Sequence, residues 1–151
     1  MPAFSLLAGL VFAPLIGLLA TLAMDPVMAR LPEGATAPKV AASVLTDTPV
    51  DDAPDRLATW VHYVAGAGSG LLFVGLIAAV GTLVGAGTVV TLVIASLVMI
   101  VLMVGFFVLI PLPRATGLAR QRLSQIRRDW AISAVIYVLA AATLIAIAVT
   151  V

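Results

Sequence analysis

Asp25 and His62 are the two side chains whose types and placement suit proton or cation chemistry. His62 is the only histidine, and it lies in an apolar run that begins after Arg56. The rise of a helix places His62 about 9 Å inward from Arg56, and Asp25 about 7–8 Å inward from Arg30. Ionisable groups inside a membrane are costly and tend to pair or to mark a pathway, and histidine titrates near neutrality. One interpretation is therefore an Asp25–His62 pair that binds a proton, a cation or a polar headgroup.

The other interpretation of the same residues is purely interfacial. Trp60, His62 and Tyr63 form an aromatic and polar belt of the kind that lies at the membrane–water boundary. Asp25 would then be the solvated end of the first helix. The spacing alone leaves both interpretations open.

The charged residues occur in only two stretches, Asp25 to Arg56 and Arg114 to Asp129. The first stretch has three basic and six acidic side chains, a net charge of −3, and the second has five arginines and one aspartate, a net charge of +4. Over the 151 residues 63% are hydrophobic and 10% are charged, which is far from the balance of a soluble domain. This pattern predicts a polytopic membrane protein with no room for a soluble catalytic domain.

Four apolar runs are long enough to cross a bilayer as helices, at about 3–24, 57–80, 88–110 and 130–151. They do not alternate polar and apolar residues, so they do not resemble barrel strands. We therefore predict an all-α membrane protein in which residues 1–151 form a single transmembrane domain. Its fold is a four-transmembrane-helix bundle with short interfacial helices in the charged loops.

Several helix ends can be predicted from individual residues. Pro14 is expected to kink the first helix, and Asp25-Pro26 to end or bend it, because the residue before a proline is driven out of helical geometry. A short interfacial helix is predicted to start near Thr36. The apolar stripe that ends at Trp130 predicts an amphipathic helix that rests on the headgroups or extends the fourth span, and Asp129 is the expected N-cap of that span.

The five arginines of the second stretch are candidate determinants of topology and candidate ligands of lipid headgroups. These residues are Arg114, Arg120, Arg122, Arg127 and Arg128. Four spans put all eight Lys and Arg on one side, which the positive-inside rule makes the cytoplasm. We therefore expect a multi-pass protein of the cell (plasma) membrane with both termini outside and the charged loops cytoplasmic. The cluster can also face the acidic first stretch, and without interleaved aromatic residues it does not predict nucleic-acid binding.

Small residues form a stripe on each of the first two spans. They are Gly9, Ala13 and Gly17 on the first and Gly66 and Gly70 on the second. Such stripes let helix backbones approach closely, and packing drives helix association in lipid. We expect the two stripes to pack on each other within one molecule. The alternative is homodimerisation through Gly66 and Gly70.

No residue pattern in the chain predicts an enzyme. It has no cysteine, one histidine, no nucleophile–base pair and no phosphate-binding glycine loop, so no cofactor and no metal is expected. We expect a non-enzymatic structural or accessory subunit that interacts with membrane lipids, and with further copies of itself or a partner membrane subunit. The alternative is a small proton- or cation-coupled transporter with the Asp25/His62 pair on its pathway.

Two segments of the first and second spans stand out: the run from Gly17 to Asp25, GLLATLAMD, and the run from Arg56 to Gly66, RLATWVHYVAG. These segments resemble uncharacterised small membrane proteins of haloarchaea. The resemblance implies four membrane helices and carries no established activity. Both segments include a member of the Asp25–His62 pair.

Overall fold

The helices account for most of the chain that the computed structural model describes, which is residues 6–85 and 87–150. Helix α1 spans Leu6–Met28, α2 Thr36–Thr46, α3 Asp55–Val84, α4 Thr88–Leu109 and α5 Arg120–Thr150. Two short 3-10 helices cover Val50–Asp52 and Leu112–Arg114, and no strand occurs within the described ranges. The predicted all-α membrane fold is confirmed.

Within the described residues, four helices are long and apolar enough to cross a membrane: α1, α3, α4 and α5. Their outward faces carry large exposed apolar side chains, such as Val11 on α1, Leu71 on α3 and Val101 on α4, as a lipid-facing surface requires. Residues 3–5 and 151 of the predicted runs lie outside the described residues. Helix α5 has 31 residues and is about 46 Å long, so it exceeds the hydrocarbon core of about 30 Å and its first turns project from it.

The proline pattern predicts that α1 ends or bends at Asp25-Pro26. The helix does not end there but continues to Met28, with both Pro14 and Pro26 inside it. A proline removes one backbone donor, and membrane helices tolerate this where other groups satisfy the freed carbonyls. At the end of α1, the Arg30 guanidinium donates to the Pro26 carbonyl oxygen at 2.8 Å. This bond satisfies one of the last carbonyls of the helix.

Asp129 is not the N-cap of the fourth span, contrary to the prediction. The basic segment and the span form one continuous helix, so Asp129 lies in the interior of α5 and is fully buried. Its carboxylate accepts hydrogen bonds from the Glu33 backbone N–H at 2.8 Å and from the Gln125 side chain at 2.6 Å. These two donors replace the helix-terminal amides that a cap would have bound, and one of them comes from the loop after α1.

The most extensive helix–helix contact among the described residues is between α1 and α3. A Cβ added to Gly70 would meet the Ala13 carbonyl oxygen, and one added to Gly17 would meet the Gly66 carbonyl oxygen, both closer than atoms can approach. Gly9 is less tightly packed, since a Cβ there would lie 3.6 Å from a Val74 methyl group. The two small-residue stripes thus pack on each other within one chain, and the face of α3 that carries Gly66 and Gly70 is covered by α1.

The four long helices are arranged in a ring in the order α1, α3, α4, α5, with α5 returning to α1. The turn between α3 and α4 is short, and α3 ends where Gly85 adopts a left-handed φ of 59° that favours glycine. Phe73, Met99 and Tyr137 are fully buried at the centre of the ring. At the charged end a second apolar cluster around Val40 and Ile126 packs α2 and the short helices against α4 and α5.

Candidate functional site

The structure brings Asp25 and His62 into direct contact. The His62 Nε2 atom lies 2.8 Å from one carboxylate oxygen of Asp25, and the Tyr63 hydroxyl donates to the other oxygen at 2.7 Å. Helix α1 continues past Pro26 and supplies the carboxylate, while the first three turns of α3 supply the two rings. The equal depth predicted from Arg30 and Arg56 is therefore matched by a hydrogen-bonded cluster, which we call the Asp25 cluster (Asp25, His62, Tyr63).

Both rings of the Asp25 cluster turn towards the carboxylate, whereas Trp60 points outward and is 71% exposed. The side chains of His62 and Asp25 are 12% and 33% exposed. A carboxylate oxygen only accepts, so the contact assigns the proton of neutral imidazole to Nε2 and leaves Nδ1 as an acceptor. The interfacial-belt interpretation concerns the depth of Trp60, His62 and Tyr63 in a membrane, and it stays a prediction beside the contact with Asp25.

A polar pocket of about 320 Å³ opens beside the Asp25 cluster at the charged end of the bundle. Besides the three cluster residues, its wall contains Lys39 of α2 and Asp55 of α3. These two form an ion pair with 3.1 Å between the Lys39 Nζ and an Asp55 oxygen, and the Asp55 side chain is 84% exposed. The pocket can therefore connect the Asp25 cluster to water at that end.

A larger, apolar cavity of about 590 Å³ lies between the charged-end halves of α3 and α4, with α2 across its end and α5 behind it. His62 lines this cavity as well as the polar pocket. On α3 the wall includes the small residues Ala65, Gly66, Gly68 and Ser69, and on α4 it is made of Met99, Leu102, Met103, Phe106 and Phe107. This cavity was not predicted from the sequence. The only signal was the additional small residues beside Gly66 and Gly70, and their significance depends on where α4 lies.

Polar groups in the wall of the apolar cavity are mostly bonded to the protein itself. The Tyr137 hydroxyl donates to the Gly66 carbonyl oxygen at 2.7 Å, which ties α5 to α3 across the ring. The Thr21 hydroxyl donates to the carbonyl oxygen one turn earlier in its own helix at 2.8 Å. The Trp130 indole N–H donates to the Met103 carbonyl oxygen at 3.2 Å. These bonds hold the walls in place and leave a predominantly apolar interior.

Arg122 is the arginine that faces the acidic first stretch. Its guanidinium donates to both carboxylate oxygens of Glu33, at 2.7 and 3.0 Å, and to Asp51 at 3.1 and 3.2 Å. The Thr36 hydroxyl adds a bond to Glu33 at 2.5 Å. The Arg122 guanidinium holds the pKa of Glu33 below its usual value of 4.5, against the opposing effect of burial. We call this set the Arg122 clasp (Arg122, Glu33, Asp51).

The remaining four arginines of the predicted headgroup cluster have exposed side chains: Arg114, Arg120, Arg127 and Arg128. Arg114 also donates to the Ile110 carbonyl oxygen at 2.7 Å, next to the end of α4. The five arginines therefore form two groups with different contacts. Arg122 holds loops together, and the other four are accessible to a lipid surface.

Among residues 6–85 and 87–150, no group of three or more His, Cys, Asp or Glu side chains could hold a metal ion. No family model, no curated protein and no solved structure matches this chain. Its function is therefore inferred from its own side chains and cavities.

Proposed function

We propose that this chain is a non-enzymatic integral membrane protein that acts by interacting with membrane lipids, as a structural or accessory subunit. The observation that carries the proposal is the apolar cavity, which is bounded by α3 and α4 where their outer faces carry exposed apolar side chains. A membrane-embedded cavity of this kind is in contact with acyl chains rather than with water. The exposed arginines at the end of the bundle add attraction to anionic headgroups, worth about 1 kcal/mol each near the surface.

The same proposal includes the orientation of the protein in a plasma membrane. The charged end of the bundle would lie in the cytoplasm and both termini outside, because all eight Lys and Arg lie in the segments between the spans at that end and in the adjoining turns of α3 and α5. It also includes association with further copies or with a partner membrane subunit through the apolar outer surface. Kinship with small haloarchaeal membrane proteins is part of the proposal on the strength of the two sequence segments alone.

The lipid proposal is tested by native mass spectrometry of the protein released from mild detergent. We expect discrete bound lipids that survive release, and fewer anionic lipids when Arg120, Arg127 and Arg128 are replaced by Gln. A protein that emerges free of lipid while its fold is intact would contradict the proposal.

The orientation can be tested cleanly because the chain has no cysteine. Two single-cysteine variants report on which side of the membrane each end of the bundle lies: Thr116→Cys, in the loop before α5, and Gly87→Cys, in the turn between α3 and α4. We expect a membrane-impermeant maleimide to label the Gly87→Cys variant from outside intact cells and the Thr116→Cys variant only after lysis. The reverse pattern would overturn the orientation.

The alternative function is a small proton- or cation-coupled transporter, and the Asp25 cluster is the observation that favours it. A carboxylate and an imidazole in contact can share and pass on a proton. His62 contributes to both the polar pocket and the apolar cavity, so a proton that enters at the charged end would reach a group next to the membrane interior.

Flux into liposomes that contain a pH-sensitive dye tests the transporter alternative. We would then expect proton or cation flux in the wild type and its loss in Asp25→Asn and in His62→Ala. Asp52→Asn is the matched control, because Asp52 is an exposed carboxylate outside the Asp25 cluster. Absence of flux in the folded, reconstituted wild type would eliminate the alternative.

A further inference from the structure

We propose that the apolar cavity between α3 and α4 is the binding site of an uncharged lipid alcohol, whose hydroxyl group donates to His62. The inference rests on the proposed function and deepens it, because it names the chemical class of the lipid and the residue that recognises it. The occupant has one long apolar chain and one hydroxyl head.

The size and position of the cavity suit an apolar chain that enters from the bilayer. Its volume of about 590 Å³ falls within the range of about 300–1,000 Å³ that is usual for ligand sites. Ala65, Gly68 and Leu72 on α3 and Leu102 and Phe106 on α4 belong to the wall and are exposed rather than buried. The cavity therefore opens sideways between these two helices, where a chain can enter without passing through water.

The wall excludes a charged head group from the interior. Among the described residues that line the cavity there is no Asp, Glu, Lys or Arg. An ionised phosphate or carboxylate inside would have no countercharge, and the cost of an unpaired charge in such surroundings is several kcal/mol or more. The Asp25 carboxylate on the far side of His62 would repel an anion further. An uncharged head group avoids both costs.

The remaining hydrogen-bonding capacity of the wall indicates a donor on the ligand. The Tyr137, Thr21 and Trp130 donors are all bonded to backbone carbonyl oxygens. In contrast, the Nδ1 atom of His62 and the Ser69 hydroxyl have no hydrogen-bond partner among residues 6–85 and 87–150.

The contact with Asp25 determines which nitrogen of the His62 ring can accept a hydrogen bond. Since Nε2–H donates to the carboxylate, the neutral ring offers Nδ1 as an acceptor, and the complementary ligand group is a hydroxyl rather than a carbonyl. Asp25 is thus a positioning residue for the ring. Ser69 lies two helical turns from His62 on the same face of α3 and can bond a second polar atom of the head.

The test uses a matched series of photoreactive probes on the full-length protein in nanodiscs of neutral phosphatidylcholine. The probes share one long chain with a diazirine and differ only in the head: a free alcohol, its methyl ether and its sulfate ester. After illumination, the labelled residues are mapped by peptide mass spectrometry. We expect the alcohol to label the cavity segments of α3 and α4, and the ether and sulfate to label them about tenfold less, equivalent to about 1.4 kcal/mol.

Two glycines of α3 provide a matched pair of variants. A Cβ added at Gly68 or at Gly75 meets nothing within 4 Å, so a larger side chain can be accommodated at both positions. Gly68 lines the cavity and Gly75 does not. We expect Gly68→Phe to abolish labelling of the cavity segments by the alcohol, and Gly75→Phe to leave it unchanged. A third variant, His62→Phe, should keep the shape of the wall but remove the preference for alcohol over ether. Thermal unfolding of each variant checks that the fold is intact.

Each outcome has a definite meaning. Equal labelling by alcohol and ether, or undiminished labelling in folded Gly68→Phe, would overturn the proposed ligand and its site. A cross-link between two copies of the chain at the cavity segments would also overturn it, because a second protein would then occupy the cavity. If the cavity is unlabelled but native mass spectrometry still finds bound lipid, this inference fails and the proposed function stands. If no lipid is bound at all, both fail.

Discussion

The Asp25 carboxylate and the His62 ring, 37 positions apart in the chain, meet at 2.8 Å between α1 and α3. The contact is possible because α1 continues through Pro26 and because glycines let the two helices cross closely further along. One carboxylate thereby accepts hydrogen bonds from two aromatic side chains of the neighbouring helix, His62 and Tyr63.

Removing the Asp25 carboxylate should destabilise the α1–α3 contact at the charged end. We expect Asp25→Ala to lower the free energy of unfolding by about 1–2 kcal/mol, because two side-chain donors lose a charged acceptor. Asp25→Asn keeps one oxygen that can accept a hydrogen bond, so it should lower the free energy of unfolding by less. Unfolding in a denaturing detergent measures both, with Asp52→Ala as a control at an exposed carboxylate. An equal effect of Asp25→Ala and the control would contradict the prediction.

The α1–α3 crossing should be intolerant of a single methyl group at Gly70. A Cβ there would collide with backbone atoms of Ala13 and Gly17, which cannot move aside as a flexible side chain can. We expect Gly70→Ala to cost about 1–3 kcal/mol of unfolding free energy. Gly75→Ala in the same helix should be neutral or stabilising by up to about 1 kcal/mol, since its Cβ meets open space. The thermal midpoints of the two variants in the same detergent provide the comparison.

The hydrogen bond between Tyr137 and the Gly66 carbonyl oxygen should contribute measurably to stability. It joins helices on opposite sides of the ring, and its loss in Tyr137→Phe should cost about 0.6–1.5 kcal/mol. Thr143→Val is the control, because the Thr143 hydroxyl donates to the Leu139 carbonyl oxygen within its own helix α5 and so joins no two helices of the described part of the chain. Equal unfolding free energies for Tyr137→Phe and wild type would show that the bond is energetically neutral.

The Arg122 clasp should depend on Glu33 more than on Asp51. Glu33 is 13% exposed and binds the guanidinium with two oxygens, whereas Asp51 is 65% exposed and its bonds are longer. We expect Glu33→Gln to cost about 1–2 kcal/mol and Asp51→Asn less than about 0.5 kcal/mol. Chemical unfolding of the two variants side by side checks the order, and the reverse order would refute this account of the clasp.

The clasp also predicts a loss of stability in acid. The pKa of Glu33 is lowered in the folded protein, so the carboxylate stabilises the fold above its usual pKa of 4.5. This stabilisation is lost as the pH falls below 4.5 and through the lowered pKa, where the folded state must take up a proton. The thermal midpoint of the wild type should therefore fall over that range more steeply than that of Glu33→Gln. Parallel curves for the two proteins would rule out a contribution from Glu33.

Some residue positions could be predicted from the sequence and others could not. Asp25 and His62 could be placed at a common depth because helical rise is constant and arginine marks the membrane surface. The partners of Arg122 could be narrowed to the acidic stretch but not to Glu33 and Asp51, because a loop of that length allows many geometries. Asp129 was misplaced because an N-cap and a buried acceptor have the same sequence signature before an apolar run. The distinction depends on the Glu33 amide, 96 positions away.

The amino-acid sequence by itself determined the four membrane helices and the segregation of charge, because ionic groups are excluded from hydrocarbon and a backbone in lipid must bond to itself. Those constraints act on each segment separately and need no knowledge of its neighbours. Only the tertiary structure decided the order of helices in the ring, the burial of Asp129 and the cavity beside His62. Each of these depends on side-chain packing between segments that are remote in the chain, as in the contact of Asp129 with the Glu33 amide 96 positions away.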